Sequence, residues 1–491
     1  QYAPPLPQKK SAISGKNVTI LTNDYCKEAK FISQDEIREW EFKPLNINEI
    51  KDIDSILEAI QDRMHYTGNK VLGNSDFLDN VDFCVDSFHI RGSSDIQQSE
   101  YIAYSRMIRD SKFVFGSSTT GKANYVIRAV AYNITRCFET YYIADSNDCY
   151  FSYNCGGCSH AMFSFNQRGN RYVIGNLPLP KDAYFQLRDK LVAEIRGRLL
   201  KDKSFPALFQ IPKYSKEWKL PSMQVNERKD ETNFEKIEKA FGVTTKIMFG
   251  KELGPLSKYG TWLSRHTATV EKKKTPFGRC THPPVSTFPF MLDIDDNRFI
   301  TGEEAMELGK LSIDLEKDEE LNIEKIFSKA AKIAYYSPEA IYGNCQNIIE
   351  SPVVVNSVNL YRVVDSTAGK NSAISGQVFS SDYIFGSFRT INSKFCVNCY
   401  YVFDLTNCFE MDSCSNCRDS MFCHNSENLD NCMFCFNTKS KRYAIGNVEV
   451  GKEYYLRIKE KLLKAIVEQL EKKGDLDYDI YNIACKVDKD A

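Results

Sequence analysis

The residues most suited to chemistry are four Cys-x-x-Cys pairs: Cys155/Cys158, Cys396/Cys399, Cys414/Cys417 and Cys432/Cys435. Two such pairs can close a tetrahedral zinc site, because thiolates at i and i+3 reach one ion. Here serine shares the cysteine lattice: Cys417, Ser420, Cys423 and Ser426 follow one another at intervals of three. Serine is a poor substitute for a soft thiolate ligand. A side chain that serine replaces freely behaves as a small, buried, weakly polar packing residue. Packing is therefore the expected role, with zinc binding and disulfide formation as the alternatives.

Acid–base chemistry at neutral pH would call first on the six histidines, His65, His89, His160, His266, His282 and His424. None lies in a GxSxG or HExxH pattern, and no GxxxxGK[ST] or GxGxxG loop is present to cradle a phosphate. Glu139 and Glu410 recur at equivalent places and are expected to form buried pairs with an arginine such as Arg171 or Arg442. Ligand binding is the alternative for them. No catalytic, cofactor-binding or metal-ligating residue is assigned, and no cofactor is expected.

These residues sit on a chain that contains itself twice. Met162-Phe163-Ser164-Phe165-Asn166 returns as Met433-Phe434-Cys435-Phe436-Asn437, a shift of 271 positions. Arg171-Tyr172-Val173-Ile174-Gly175-Asn176 returns as Arg442-Tyr443-Ala444-Ile445-Gly446-Asn447 at the same shift. Phe113-Val114-Phe115-Gly116-Ser117 matches Tyr383-Ile384-Phe385-Gly386-Ser387 at 270. The duplication bears on the chemistry too. Cys435 stands where the other copy has Ser164, Cys432 where it has Ala161, Cys423 where it has Ser152, and Cys155 where it has Ser426; only Cys137 and Cys408 agree. His89, His160 and His424 correspond to Asn359, Asn431 and Tyr153.

The division read from the sequence is an N-terminal arm over 1–23, a first module over 24–200, an inserted arm or linker over 201–291, a second module over 292–471 and a tail over 472–491. The insertion, rich in proline, has no counterpart within either module and reads as an extended, partly ordered arm or a surface linker. Ser33-x-x-Glu36 and Thr301-x-x-Glu304 have the capping-box form and predict helix starts. Further helices are expected at Ile47–Met64 and Ile323–Ala334. Each module ends on an amphipathic stretch, Lys181–Leu199 or Lys452–Lys472, with Leu187, Leu191, Ile195 and Ile458, Leu462, Ile466 at helical spacing. Between these helices, about 74–176 and 344–447, runs a six-residue beat. Ser93, Ser99, Ser105, Ser111 and Ser117 alternate with Ile96, Ile102, Ile108 and Val114. A strict short period of small and aliphatic residues predicts a β-solenoid, with small side chains at the corners and aliphatic and aromatic ones inside. Gly175 and Gly446 are expected to take positive φ in the exit turn. The fold class expected is α+β, a tandem duplication of a solenoid-like Ser/Cys zone flanked by helices.

Composition narrows the function classes. The 64 Lys+Arg balance 65 Asp+Glu, for a net charge of −1, which argues against a general nucleic-acid coat. No apolar run approaches the roughly 18–20 residues of a membrane span. The first residues, Gln1-Tyr2-Ala3-Pro4-Pro5, lack the form of a signal peptide, and the missing initiator Met suggests a processed or trimmed chain.

The stretch Cys149-Tyr150-Phe151-Ser152-Tyr153-Asn154-Cys155-Gly156-Gly157-Cys158, followed by Arg171–Asn176, resembles a group of Cys-rich repeat proteins of candidate-phyla bacteria and large tailed phages. Cys26–Ile32 with Glu36, Ile37 and Trp40 resembles their N-terminal segment. The resemblance implies no established activity, and the zinc-ribbon cysteines frequent in that group are missing here. The function expected is a non-enzymatic structural or assembly protein, such as a virion capsid or capsid-associated subunit that self-associates through its solenoids. Its location would be the virion or the cytoplasm. Its partners would be further copies of itself and other structural proteins, with no membrane and no specific nucleic acid. A hexapeptide-repeat acyltransferase and a Cys-rich zinc- or nucleic-acid-binding module are the alternatives.

Overall fold

The computed structural model describes residues 5–39, 53–61, 64–215, 219–223, 232–316 and 319–485. Trp40, and residues 47–52 and 62–63 of the first expected helix, lie outside them. The protein is mixed α+β. Its two main sheets hold ten and thirteen strands and are parallel except for one antiparallel strand at the end of each. We call them the first ladder (71–178) and the second ladder (340–449).

Within each ladder a residue pairs with the residue twelve further on: Ile102 with Val114 and Val114 with Val126, Ile384 with Cys396 and Cys396 with Cys408. Two of the six-residue beats thus make one rung. Over most of each ladder the chain turns a corner at every third residue, where φ is positive: 77, 80, 83, 86 and 89 in the first ladder, 356, 359, 362 and 365 in the second. Four triplets make each rung, and each triplet has one residue pointing inward. The left-handed conformation costs an L-residue on the order of 1 kcal/mol, least for Asn, Asp and Gly. Asn and Asp accordingly fill many corners, including Asn80, Asp86, Asn347, Asn356, Asn359 and Asn371.

The inward columns hold Ser, Cys, Ala, Val, Ile and Leu, and a Met at Met411. A triplet leaves no room for rings inside, so aromatic side chains lie on the outer surface, contrary to the expectation that they fill the interior. Serine has a specific task at the inner corner. Ser105 Oγ donates to Ala103 O (2.9 Å) and accepts from the Ser117 amide one rung on (3.1 Å). Ser87, Ser93, Ser99 and Ser111 repeat the pattern. Each hydroxyl satisfies a buried amide and a buried carbonyl that the corner would otherwise leave open.

The last rung needs a terminator. After Arg171–Ile174 the chain turns at Gly175 (φ +56°) and returns antiparallel over Leu177–Pro178; Arg442–Ile445, Gly446 (φ +55°) and Val448–Glu449 do the same. Asn176 Oδ1 accepts from Phe165 N (2.8 Å) and its Nδ2 donates to Phe165 O (3.0 Å). Asn447 holds Phe436 in the same way at 2.9 and 2.7 Å. The carboxamide replaces the strand that would have come next. Closing helices follow at Lys181–Asp202 and Lys452–Lys473, as the apolar spacing predicts.

The segments that precede the ladders, 7–70 and 271–340, are also equivalent, and we call them caps. Each starts on a hairpin, Gln8–Lys10 with Asn17–Thr19 or Lys273–Lys274 with Cys280–Thr281. Each then brings two stretches side by side in parallel, Phe31 with Tyr66 or Phe299 with Tyr336. Glu36 accepts from Ser33 N and Ser11 Oγ, and Glu304 from Thr301 N and Thr275 Oγ1. Thr301 and Glu304 close the predicted capping box at helix Gly302–Leu308; after Ser33 the helix is a 3-10 turn, Gln34–Glu39. Described helices also lie at Ile53–Ile60, within the first expected range, and at Ile323–Ala330, which ends four residues before the expected Ala334.

The repeat therefore extends beyond its clearest sequence signal. The hairpin in 271–291 matches one in the N-terminal arm, so the insertion does have counterparts. The turn at Leu208–Tyr214 likewise matches a segment of the tail: Ala207 N donates to Gln210 Oε1, and Asp479 N to Asn482 Oδ1, both at 3.0 Å. What is unique in the insertion is about 216–270, and it includes a regular helix, Glu235–Phe249, where an extended arm or a surface linker was expected.

The compact units cross the repeats. One comprises 1–6, 71–229 and 271–340, which is the first ladder with the second cap. The other comprises 7–70, 230–270 and 341–491, which is the second ladder with the first cap and the helical insert. Each cap is thus grouped with the ladder of the other copy.

Candidate interaction surface

The coil cysteines are held by the lattice. Thirteen of the seventeen are buried; Cys280 is exposed, Cys345 is intermediate, and Cys26 and Cys485 form a disulfide. Cys399 Sγ donates to Val397 O and Cys408 O (both 3.4 Å), and Cys414 Sγ to Asp412 O and Cys423 O (both 3.3 Å). These are the carbonyls that a serine would use, which is why the two residues exchange. Burial pushes the Cys399, Cys408 and Cys414 thiols up. In the pair Cys155/Cys158, burial raises Cys155, while the hydrogen bond between them draws Cys158 down to about 7. Among the described residues, no three or more His, Cys, Asp or Glu side chains are placed to hold a metal ion.

His424 and Asp412 look at first like half of a catalytic triad, with Nδ1 2.7 Å from Oδ2 in a buried site. The other ring nitrogen, Nε2, accepts from the Thr67 amide at 2.8 Å. The imidazole is therefore neutral, donates from Nδ1 to Asp412, and has no lone pair left for a substrate proton. Tyr25 Oη also donates to Asp412 (3.2 Å). The cluster fastens the first cap to the second ladder. In the other unit Tyr153, the counterpart of His424, donates to Ser337 O at 2.8 Å. The same joint is made with opposite hydrogen-bond polarity.

The shared glutamates fasten the chain after each closing helix. Glu139 accepts from Leu208 N (3.2 Å) and pairs with Arg128 (2.6 Å). Glu410 accepts from Ile480 N and Asn398 Nδ2, both at 2.8 Å. The arginines proposed from sequence are elsewhere: Arg171 bonds Ser159 Oγ, and Arg442 pairs with Asp430 (3.1 Å). Burial lifts Glu139 to about 7 against the pull of Arg128, and raises Glu410 well above the carboxylate range. A cleft of about 440 Å³ beside Phe249, Leu463 and Val467 is rimmed by lysines and glutamates and contains no histidine, cysteine or hydroxyl nucleophile.

The informative asymmetry is on the outside of the ladders. The first ladder exposes seven large apolar or aromatic side chains, Phe77, Tyr101, Tyr104, Phe115, Tyr125, Ile127 and Tyr132; the second exposes one, Ile341. Clustering of this kind marks an interaction surface, whereas scattered exposure would not. On one corner, Phe77, His89, Tyr101, Phe113 and Tyr125 stack ring on ring, with centroids 4.6–4.9 Å apart and planes within 8° of parallel. The equivalent corner of the second ladder starts with Asn347, Asn359 and Asn371, whose carboxamides bond to one another (2.9 and 2.8 Å).

No protein-family model, curated protein or solved structure matches the chain. The described helices include none long and apolar enough to cross a membrane. Sequence reasoning singled out the cysteines and passed over the surface rings. A signal for them was present in the twelve-residue spacing of Phe77, His89, Tyr101, Phe113 and Tyr125. It becomes legible only once the rung length is known.

Proposed function

We propose that this chain is a non-enzymatic assembly protein, built of two β-solenoid modules and self-associating side by side through the first, as a subunit of a virion or of a comparable cellular scaffold. The observation that carries this reading is the exposed ring column on the first ladder. Phe77 and Tyr125 at its ends are 65% and 61% exposed. The rings are already stacked on one another along the ladder, so little conformational entropy opposes their burial. Beside them runs a self-complementary column, in which Glu100 and Lys112 pair within the chain at 3.0 Å. Two copies related by a two-fold axis could exchange these partners while burying both ring columns. Sedimentation of the full chain over a range of concentrations tests the proposal. Dimers or larger species are expected, and Tyr101→Lys with Tyr125→Lys should abolish them. A wild-type chain that stays monomeric at about 100 μM, where a stable interface with micromolar Kd would be saturated, removes the proposal.

A further inference from the structure

On the next corner of the first ladder, Arg91, Ala103, Tyr104, Phe115, Gly116 and Ile127 form a second outward face. The duplication supplies its occupied twin. At a shift of 270, the counterparts are Tyr361, Ala373, Ile374, Phe385, Gly386 and Val397. Alanine, phenylalanine and glycine are identical, and isoleucine becomes valine. In the second ladder the insert helix Glu235–Phe249 covers this face, and Phe385 and Val397 are both 0% exposed. In the first ladder Phe115 and Ile127 are 40% and 47% exposed.

The twin shows how a helix fits. Phe234, Phe241 and Phe249 meet Tyr361, Phe385 and Phe409 at centroid distances of 4.9, 5.3 and 5.1 Å. Steps of seven and eight residues climb about 10–12 Å along a helix, and two rungs of a ladder climb about 9.6 Å. A helix parallel to the ladder therefore meets every second rung. Over Gly386 an added Cβ would meet Asn398 Oδ1 of the ladder and, from outside it, Leu263 Cδ2 at 2.9 Å. Over Gly116 the nearest atom to such a Cβ is Arg128 Cγ at 3.4 Å, on the ladder itself. The two faces differ most at one end. Arg91 replaces Tyr361, and its side chain is 67% exposed and pairs with the equally exposed Asp79 (3.2 Å). At that rung charge complementarity calls for an acidic residue where the insert has Phe234.

We infer that the Ala103–Phe115–Ile127 face is a docking groove for an amphipathic helix of a partner protein, one that carries an acidic residue seven positions before its central apolar anchor. This rests on the reading of the first ladder as an interaction surface, but it uses a different corner from the ring column. The groove binds the helix by its apolar stripe, as helix-in-groove complexes do, and Arg91 sets its direction.

The probe is a fluorescent peptide reproducing residues 232–250 of this chain with Phe234→Glu, titrated by anisotropy into the full-length protein and into its Tyr101→Lys/Tyr125→Lys form. Saturable binding to both is expected, weakened at least about tenfold by Ile127→Asp in the protein and by Phe241→Asp in the peptide. Arg91→Glu should reverse the preference between Glu and Lys at the peptide's acidic position. A photo-crosslinker at the Phe241 position should label 112–127. The inference is overturned by no binding at about 1 mM peptide, by binding insensitive to Ile127→Asp, or by crosslinks confined to 382–397. Binding only to the self-associated form also overturns it, since the site would then belong to the assembly interface. Peptide binding to a chain that never self-associates would preserve this inference and remove the assembly reading.

Discussion

Replacing Ser105 with alanine tests the logic of the inner corner most directly. Its hydroxyl donates to Ala103 O at 2.9 Å and accepts from Ser117 N at 3.1 Å, and both Ser105 and Ser117 are buried. Alanine removes both bonds and leaves a buried amide unsatisfied, which costs about 1–3 kcal/mol, with roughly 1 kcal/mol more for the lost carbonyl bond. Ser105→Ala should therefore destabilise the first unit by about 2–4 kcal/mol. For a unit of this size that lowers its melting temperature by about 4–16 °C. Ser105→Cys keeps the donor, and sulfur accepts weakly, as Cys423 Sγ does from Cys435 N at 3.4 Å. It should cost less than alanine although it is larger. Ser94 provides the control, because its buried Oγ has no hydrogen-bond partner among the described residues, so Ser94→Ala should be close to neutral. The assay is calorimetry of the full chain together with amide hydrogen exchange, in which the Ser117 amide should lose protection in Ser105→Ala alone. If alanine is tolerated better than cysteine, or if Ser94→Ala costs as much as Ser105→Ala, the account of the lattice is wrong.

Glu139 and Glu339 are both lifted by burial from 4.5 to about 7. The folded state thus binds their protons more tightly than the unfolded chain, and each contributes stability that is present at pH 4.5 and lost as pH rises to 7, up to about 3 kcal/mol apiece. Glu139→Gln should remove about half of this slope, read as the variant's difference in melting temperature from wild type across pH 4.5–8; an unchanged slope would contradict the assignment. Phe385→Ala should cost about 3–5 kcal/mol, because a buried ring under the insert helix is lost. Its exposed counterpart Phe115→Ala should change unfolding by under about 1 kcal/mol, and equal effects in chemical denaturation would remove the asymmetry between the two faces. Thiol titration of the native protein should find Cys280 fast, Cys345 slower and the thirteen buried thiols protected until unfolding.

Local patterns were the legible part of the sequence. The closing helices follow from Leu191, Ile195, Ile458, Leu462 and Ile466, which are buried on one face of each. The Thr301–Glu304 capping box and the exit turns at Gly175 and Gly446 depend on near neighbours and appear as expected. The equivalence of serine and cysteine was also readable, because it is a property of one column compared with itself. The rung length was not. A six-residue beat is compatible with any rung built from whole beats, and only backbone pairing selects twelve. The partners of Glu139 were missed for a related reason. Arg128 lies eleven residues before it, nearly one rung, and Leu208 comes from a turn 69 residues later in the chain.

By itself the sequence established that the chain is a duplication, that its small residues keep a three-residue phase, and where its longest helices close the copies. These follow from local sterics and hydrogen bonding, which act identically in both copies. Tertiary structure decided which pieces belong together. Each cap groups with the other copy's ladder, through joints such as Thr67 to His424 and Ser337 to Tyr153, because either ladder offers similar inward and outward columns and sequence distance does not choose between them. It also decided which of two nearly identical faces is covered. Phe385 lies buried under the helix Glu235–Phe249 whereas Phe115 is 40% exposed, and that difference in burial, invisible in a comparison of the two residues, is where the function of this protein is to be sought.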